Sequence, residues 1–229
     1  MAGSDGASHG RSDGSGSVVA EARWHMGLAV LAAMILTILM PDEWQLGPPW
    51  LVPAIEGALL LALVVGDPGA IDKRSSILRG FSIALVAVLI GQSLWSTARL
   101  IDDLVTGGPH TNAAGALLAA GAIVWISNNI AFALLYWELD GGGAAARAHG
   151  LPEYPDLAFP QQLNPDVAPP DWRPRFIDYL YLGFTNATAF SPTDAMPLAP
   201  WAKIAMTVQA SVSLAILGLV VARAVNVFT

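Results

Sequence analysis

No cysteine occurs in the 229 residues. That absence excludes disulfides, thiolate zinc sites, iron–sulfur clusters and cysteine nucleophiles, and it carries no information on compartment. Charge is scarce as well: 13% of residues are Asp, Glu, Lys or Arg, against about 25% in an average soluble domain. A conventional soluble enzyme is therefore not the leading reading. Positive charge is scarcest, with two lysines, nine arginines and a net charge of −7, which argues against a nucleic-acid partner. The four histidines, His9, His25, His110 and His149, lack any metal-ligand spacing, and no nucleophile–base pair stands out. Neither a metal, a cofactor nor an enzymatic activity is expected.

What the chain has in abundance is apolar sequence in long blocks, with 54% hydrophobic residues and a mean hydropathy of +0.53. Residues 1–20 stand apart; they hold five glycines and five serines. They bury too little to offset their ordering entropy and read as a disordered tail. Five blocks follow: Trp24 to Met40, Trp50 to Val65, Ile77 to Ile101, Ala113 to Trp137 and Trp201 to Phe228. A helix needs ~20 apolar residues to cross ~30 Å of hydrocarbon. The last three blocks satisfy this, and the first two are marginal, borrowing flanking residues or thinning the bilayer. Trp24, Trp44, Trp50, Trp137 and Trp201 lie at or near block ends, where indoles favour the membrane interface. The expectation is five transmembrane helices, in an all-α membrane protein.

Between the fourth and fifth blocks the character changes twice. Residues 144–175 carry seven prolines, from Pro152 to Pro174, and read as an extended loop outside the hydrocarbon. Residues 176–190, FIDYLYLGFTNATAF, are apolar on average but short, with Thr185, Asn186 and Thr188 towards one end. Ser191-Pro192-Thr193-Asp194 then stops any helix. A hydrophobic half-helix, a polar turn and a full span form the pattern of a re-entrant loop. Non-helical backbone at membrane depth requires surrounding protein or a water-filled cavity. The competing reading is an ordinary hairpin whose polar turn caps two helices.

The stretch from Leu180 to Ala224 resembles, without a gap, the pore helix, filter and inner helix of two-transmembrane bacterial potassium channels. The family's filter signature reads Thr-Ala-Thr-Thr-Val-Gly-Tyr-Gly-Asp. Asn186, Ala187 and Thr188 fall on its Thr-Ala-Thr, and Asp194 falls on its closing Asp. Pro197 falls on the turn proline, Trp201 and Lys203 on the Trp and Arg that open the inner helix, and Gly218-Leu219-Val220 on a Gly-Leu-Val run. The match covers about a fifth of the chain. Its implication is a domain plan of tail (1–20), peripheral three-helix part (21–112) and pore module (113–229), assembled as a homotetramer. On this register Leu214, Leu217, Val221 and Val225 form the pore-facing stripe, though the same spacing serves ordinary helix packing. The five-span layout also resembles bacterial membrane proteins of similar length, which implies the bacterial inner membrane.

The departure falls in the filter itself. Ala189, Phe190, Ser191, Pro192 and Thr193 stand where the family has Thr-Val-Gly-Tyr-Gly. A stack of carbonyl rings needs backbone torsions that side-chain-bearing residues adopt only at a cost, and proline fixes φ near −65°. Hydroxyls of Thr188, Ser191 and Thr193, or retained water, are expected to line any constriction, passing monovalent cations with little potassium selectivity. Asp178 and Asp194 would raise the local cation concentration, as would Glu153, Asp156, Asp166 and Asp171 unless they form only a solvated loop. The alternative is a non-conducting oligomeric scaffold or regulatory subunit that keeps a degenerate channel fold.

Three polar residues fall inside the apolar blocks: Glu56, Asn128 and Asn129. Intramembrane carboxylates are costly and face a partner or water. Glu56 is either a proton or cation relay, as in a small carrier, or a packing residue set against Gln92, Ser93 or Arg99. Adjacent asparagines point in different directions on a helix, so at least one is expected to join helices by hydrogen bonding. Polar Thr207, Gln209, Ser211 and Ser213 are expected to line a cavity or to bond between helices. Five spans gather nine positive residues at the side of the tail and two, Arg99 and Arg223, at the other. The positive-inside rule then sets the N-terminus in the cytoplasm and opens the pore loop there too, the reverse of potassium channels.

Overall fold

The computed structural model describes residues 21–71, 75–108, 113–150, 154–169, 172–188 and 194–228. The tail and the filter-like residues Ala189, Phe190, Ser191, Pro192 and Thr193 lie outside these ranges. Among the described residues the fold is all-helical apart from two minimal strand pairings. The helices are α1 (Trp24–Leu39), α2 (Leu51–Gly66), α3 (Ser76–Thr106), α4 (Ala114–Leu139), α5 (Ala144–Ala148), α6 (Pro160–Leu163), α7 (Phe176–Thr188) and α8 (Pro200–Phe228). Strand β1 (Glu21–Ala22) pairs antiparallel with β2 (Ala70–Ile71), and β3 (Leu157–Ala158) pairs antiparallel with β4 (Met196–Pro197).

Three helices, α3, α4 and α8, are long and apolar enough to cross a membrane. At 1.5 Å per residue they extend about 46, 39 and 44 Å, whereas the 16-residue α1 and α2 extend about 24 Å each. The outer surface is apolar: Leu28, Leu31, Ile35 and Ile38 of α1 and Leu61, Val64 and Val65 of α2 are all exposed. Outward-facing leucine and isoleucine on this scale suit lipid rather than water. The protein is a membrane protein.

Helix α4 is the centre of the bundle and packs against α1, α3, α7 and α8, while α2 packs against α1 and α3. Polar contacts fix the directions. Ser82 Oγ donates to Glu138 at 2.5 Å and Ser93 Oγ to Asn128 at 3.2 Å, so α3 and α4 run antiparallel. Tyr136 bonds Gln209, Asn128 bonds Ser213, and Gly121 meets Val220, so α8 is also antiparallel to α4. α3 is bounded by local signals. Ser75 caps it by accepting from Leu78 N, and Gly107, at φ +78°, closes it with its N–H on the Asp103 carbonyl.

The turn between α1 and α2 is pinned to the side of α3. Trp44 is fully buried and donates its indole N–H to Asp103 at 2.9 Å, and Gln92 Oε1 accepts from Leu46 N. This corrects part of the expected aromatic belt. Trp24 and Trp50 are 60% and 67% exposed, but Trp44 and Trp137 are core residues with protein partners for their N–H groups. The proline-rich loop differs too. It contains α5 and α6, and Leu157, Ala158 and Phe159 are buried against the end of the bundle, while Tyr154, Leu163 and Val167 stay exposed.

That end is held by Asp140, which is 1% exposed. Its Oδ1 accepts from the backbone N–H groups of Asp156 and Leu157, each at 3.0 Å, and its Oδ2 from the Tyr179 hydroxyl at 2.5 Å. Burial holds the Tyr179 phenol well above its ordinary range, so it remains a donor. Arg147 donates to the carbonyls of Trp137 and Asp140 and stacks over the Tyr179 ring. Glu21 closes the ring by accepting from Trp137 Nε1 and from Phe176 N, the first amide of α7. Arg23, Arg79, Arg147, Arg173, Arg175 and Lys203 all sit at this end, and Arg99 and Arg223 at the other.

Candidate functional site

The candidate site is the half-length helix α7 with residues 194–199, which lead into α8. α7 starts beside the C-terminal end of α4, where Trp137 meets Phe176 edge-on. It runs antiparallel to α4 as far as Trp125, whose ring meets Phe184 edge-on at 5.8 Å. Its 13 residues extend about 20 Å, roughly half the length of α4. α7 and α8 therefore run side by side in the same direction. After Thr188 the chain comes back, for Asp194 and Ala195 border the same small cleft as Asp178, Tyr181 and Thr185 of α7's first turns. By Leu198 it has returned to the end of the bundle, where Leu198 N donates to the Asp156 carbonyl at 2.8 Å.

A polar knot fastens α7 between α4 and α8. Gln209 of α8 is fully buried. Its Oε1 accepts from Tyr136 Oη and from Asn186 Nδ2, each at 2.8 Å, and its Nε2 donates to the Gly183 carbonyl at 3.0 Å. Asn186 also donates to the Met206 carbonyl at 2.9 Å. Gly183 permits the close approach, since a methyl there would come within 2.6 Å of Asn129 Oδ1. Every polar side chain of the knot thus serves helix joining. The hydroxyls of Thr185 and Thr188 instead bond back to carbonyls of their own helix, leaving Thr188 on its exposed side.

Asn128 joins α3 to α8 through Ser93 and Ser213. Asn129 is buried against α7, and its Oδ1 accepts no hydrogen bond among the described residues. Glu56 is fully buried in α2, and neither carboxylate oxygen has a partner among the described residues. None of the three partners expected for Glu56 turns towards it. Gln92 faces the α1–α2 turn, Ser93 faces α4, and Arg99 bonds the Glu43 carbonyl and Asp102. Of the acidic residues expected to attract cations, Asp178 and Asp194 line one cleft. Asp156 is occupied by the Gly141 amide, Asp166 is exposed, and Glu153 and Asp171 lie outside the described residues.

The inner-helix stripe faces away from the protein. Leu214, Leu217, Val221 and Val225 are 55%, 41%, 59% and 56% exposed, while the opposite face of α8 is buried through Gln209, Ser213, Ile216 and Val220. Sequence reasoning named Gln209 only among four polar residues; that it is the hub follows from the one helical register that turns it inward. The Asp140–Arg147–Tyr179 cluster was missed, because its members are scattered over some 40 residues with no shared motif. No family model, curated protein or solved structure matches the chain.

Proposed function

We propose that the chain is one subunit of a tetrameric, channel-like membrane pore that passes monovalent cations with little potassium selectivity. The observation that carries the reading is the half-length α7, parallel to α8 and followed by a return to the end from which it started. α7 spans about half the length of α4, and a helix that covers only part of the hydrocarbon needs protein or water around its end. Four copies arranged around α8 supply that enclosure. The exposed stripe of Leu214, Leu217, Val221 and Val225 then faces the axis, where an apolar ring gates by dewetting. Asp178 and Asp194 stand beside the loop mouth and favour cations.

In this reading α1 and α2 complete five spans in a locally thinned bilayer. The basic end, with Arg23, Arg79, Arg147, Arg173, Arg175 and Lys203, lies in the cytoplasm by the positive-inside rule. The N-terminus is then cytoplasmic and the loop opens on that side, in the bacterial inner membrane. Substitution of the two filter glycines by Ser191 and Thr193 is the reason selectivity is low.

The test is cation flux in liposomes containing the purified full chain, with potassium and sodium gradients compared. Flux of both ions at rates within about tenfold of each other supports the proposal, tenfold corresponding to ~1.4 kcal/mol of discrimination. Absence of flux under every gradient, voltage and pH tested, with tetramers intact, refutes it and leaves the scaffold reading.

A further inference from the structure

A cavity lies away from α7, at the basic end, where α1 and α3 begin and α2 and α4 finish. It holds about 490 Å³, within the range of small-molecule sites. Its inner wall is apolar, with Met26, Leu63, Leu78 and Trp137. Its outer wall is charged. Arg23 and Asp67 neutralise each other at 2.8 Å with both side chains buried. The other two charges face each other without a contact ion pair: Arg79 has no ion-pair partner among the described residues, and Glu138, 5% exposed, accepts a hydrogen bond from Ser82 and no other among them.

Gly143 borders both groups. It sits at φ +96°, and a Cβ on it would lie 3.1 Å from Arg79 Nη1 and 3.5 Å from Glu138 Oε1. The guanidinium and the carboxylate thus border one gap without closing it. A group that fills the gap must accept hydrogen bonds from Arg79 and donate them to Glu138, and it must carry an apolar continuation for the inner wall. We propose that this cavity binds the headgroup of an aminophospholipid, phosphate on Arg79 and primary ammonium on Glu138, with the glycerol and first acyl carbons against Met26, Leu63 and Leu78.

The chemistry excludes the two common competitors. A phosphocholine head has a cation with no N–H to donate to Glu138. A phosphatidylglycerol head has no cation to set against the Glu138 carboxylate and brings only its anionic phosphate near it. The first turn of α3, with Ser75 and Ser76 on the wall, favours the phosphate side further. The inference does not depend on the pore reading.

The experiment is native mass spectrometry of the full chain in detergent, titrated with phosphatidylethanolamine, phosphatidylcholine and phosphatidylglycerol of identical acyl chains. The expected result is retention of the ethanolamine lipid at least about tenfold tighter than either competitor. R79Q abolishes that preference, and R175Q, an exposed arginine at the same end outside the cavity, leaves it intact. E138Q keeps an acceptor for Ser82 and reduces the ethanolamine lipid to the level of phosphatidylcholine. Because the Arg79 side chain is exposed and bonds nothing described, R79Q reports even if E138Q fails to fold. Equal retention of all three lipids, preference for phosphatidylglycerol, or R79Q behaving as R175Q does, overturns the proposal.

Discussion

Replacing Gln209 by leucine keeps the side-chain size and removes three hydrogen bonds at once, those from Tyr136 and Asn186 and that to the Gly183 carbonyl. Interhelical hydrogen bonds in membrane proteins average ~0.6 kcal/mol and reach ~1.7 kcal/mol, so three sum to about 2 kcal/mol and no more than about 5 kcal/mol. The fully buried Tyr136 hydroxyl has no water to turn to, and stranding such a donor costs ~1–3 kcal/mol. Asn186 keeps the Met206 carbonyl, which limits the loss on that side. The expected destabilisation is therefore about 2–4 kcal/mol. It is read from the midpoint of helix loss when purified protein in mixed micelles is titrated with dodecyl sulfate. Y136F in the Q209L background removes the stranded donor, so the double-mutant cycle yields a coupling of ~0.6–1.7 kcal/mol. Thr207→Val, on the exposed face of the same helix, serves as the control and shifts the midpoint by less than about 0.5 kcal/mol. A Q209L midpoint indistinguishable from the control, or a coupling of zero, refutes the assignment of Gln209 as the hub that fastens α7.

D140A removes the acceptor for Tyr179 and for two backbone amides; cleavage by trypsin after Arg147 is expected to accelerate about tenfold, equivalent to ~1.4 kcal/mol of easier local opening. R23M strands Asp67 in a buried site and costs about 3–5 kcal/mol in the same dodecyl sulfate assay, most of which D67L restores in the double variant. Gly121→Ala places a methyl 2.8 Å from Val220 Cγ2 and destabilises by about 1–3 kcal/mol, whereas G91A meets nothing within 4 Å and is neutral or stabilising.

Helix limits were legible in the residues because block ends carry their own stop signals. The block from Trp50 to Val65 emerges as Leu51–Gly66, that from Ala113 to Trp137 as Ala114–Leu139, and that from Trp201 to Phe228 as Pro200–Phe228. The short apolar stretch starting at Phe176 emerges as the helix Phe176–Thr188. Polar partners were less legible. Ser93 and Asn128 are 35 residues apart, and Gln209 and Tyr136 are 73 apart, separations at which periodicity gives the face of a helix but not its neighbour. Glu56 shows the limit most clearly: of the partners expected for it, Gln92 and Arg99 are taken up by the α1–α2 turn and Ser93 by α4.

Composition and block length by themselves determined that the chain is helical and belongs in a membrane, since 13% charge and long uninterrupted apolar runs leave hydrocarbon as the only solvent that suits them. They also indicated which loops share the basic end, because successive helices joined by short turns alternate in direction. Tertiary structure alone decided that α4 is the centre, that Gln209 and Asp140 are the two polar hubs, and that α7 lies parallel to α8. Those outcomes depend on the rotation of each helix about its own axis. Rotation is set by the packing of facing surfaces such as Gly121 on Val220 and Gly183 on Asn129, a pairing that no single helix encodes.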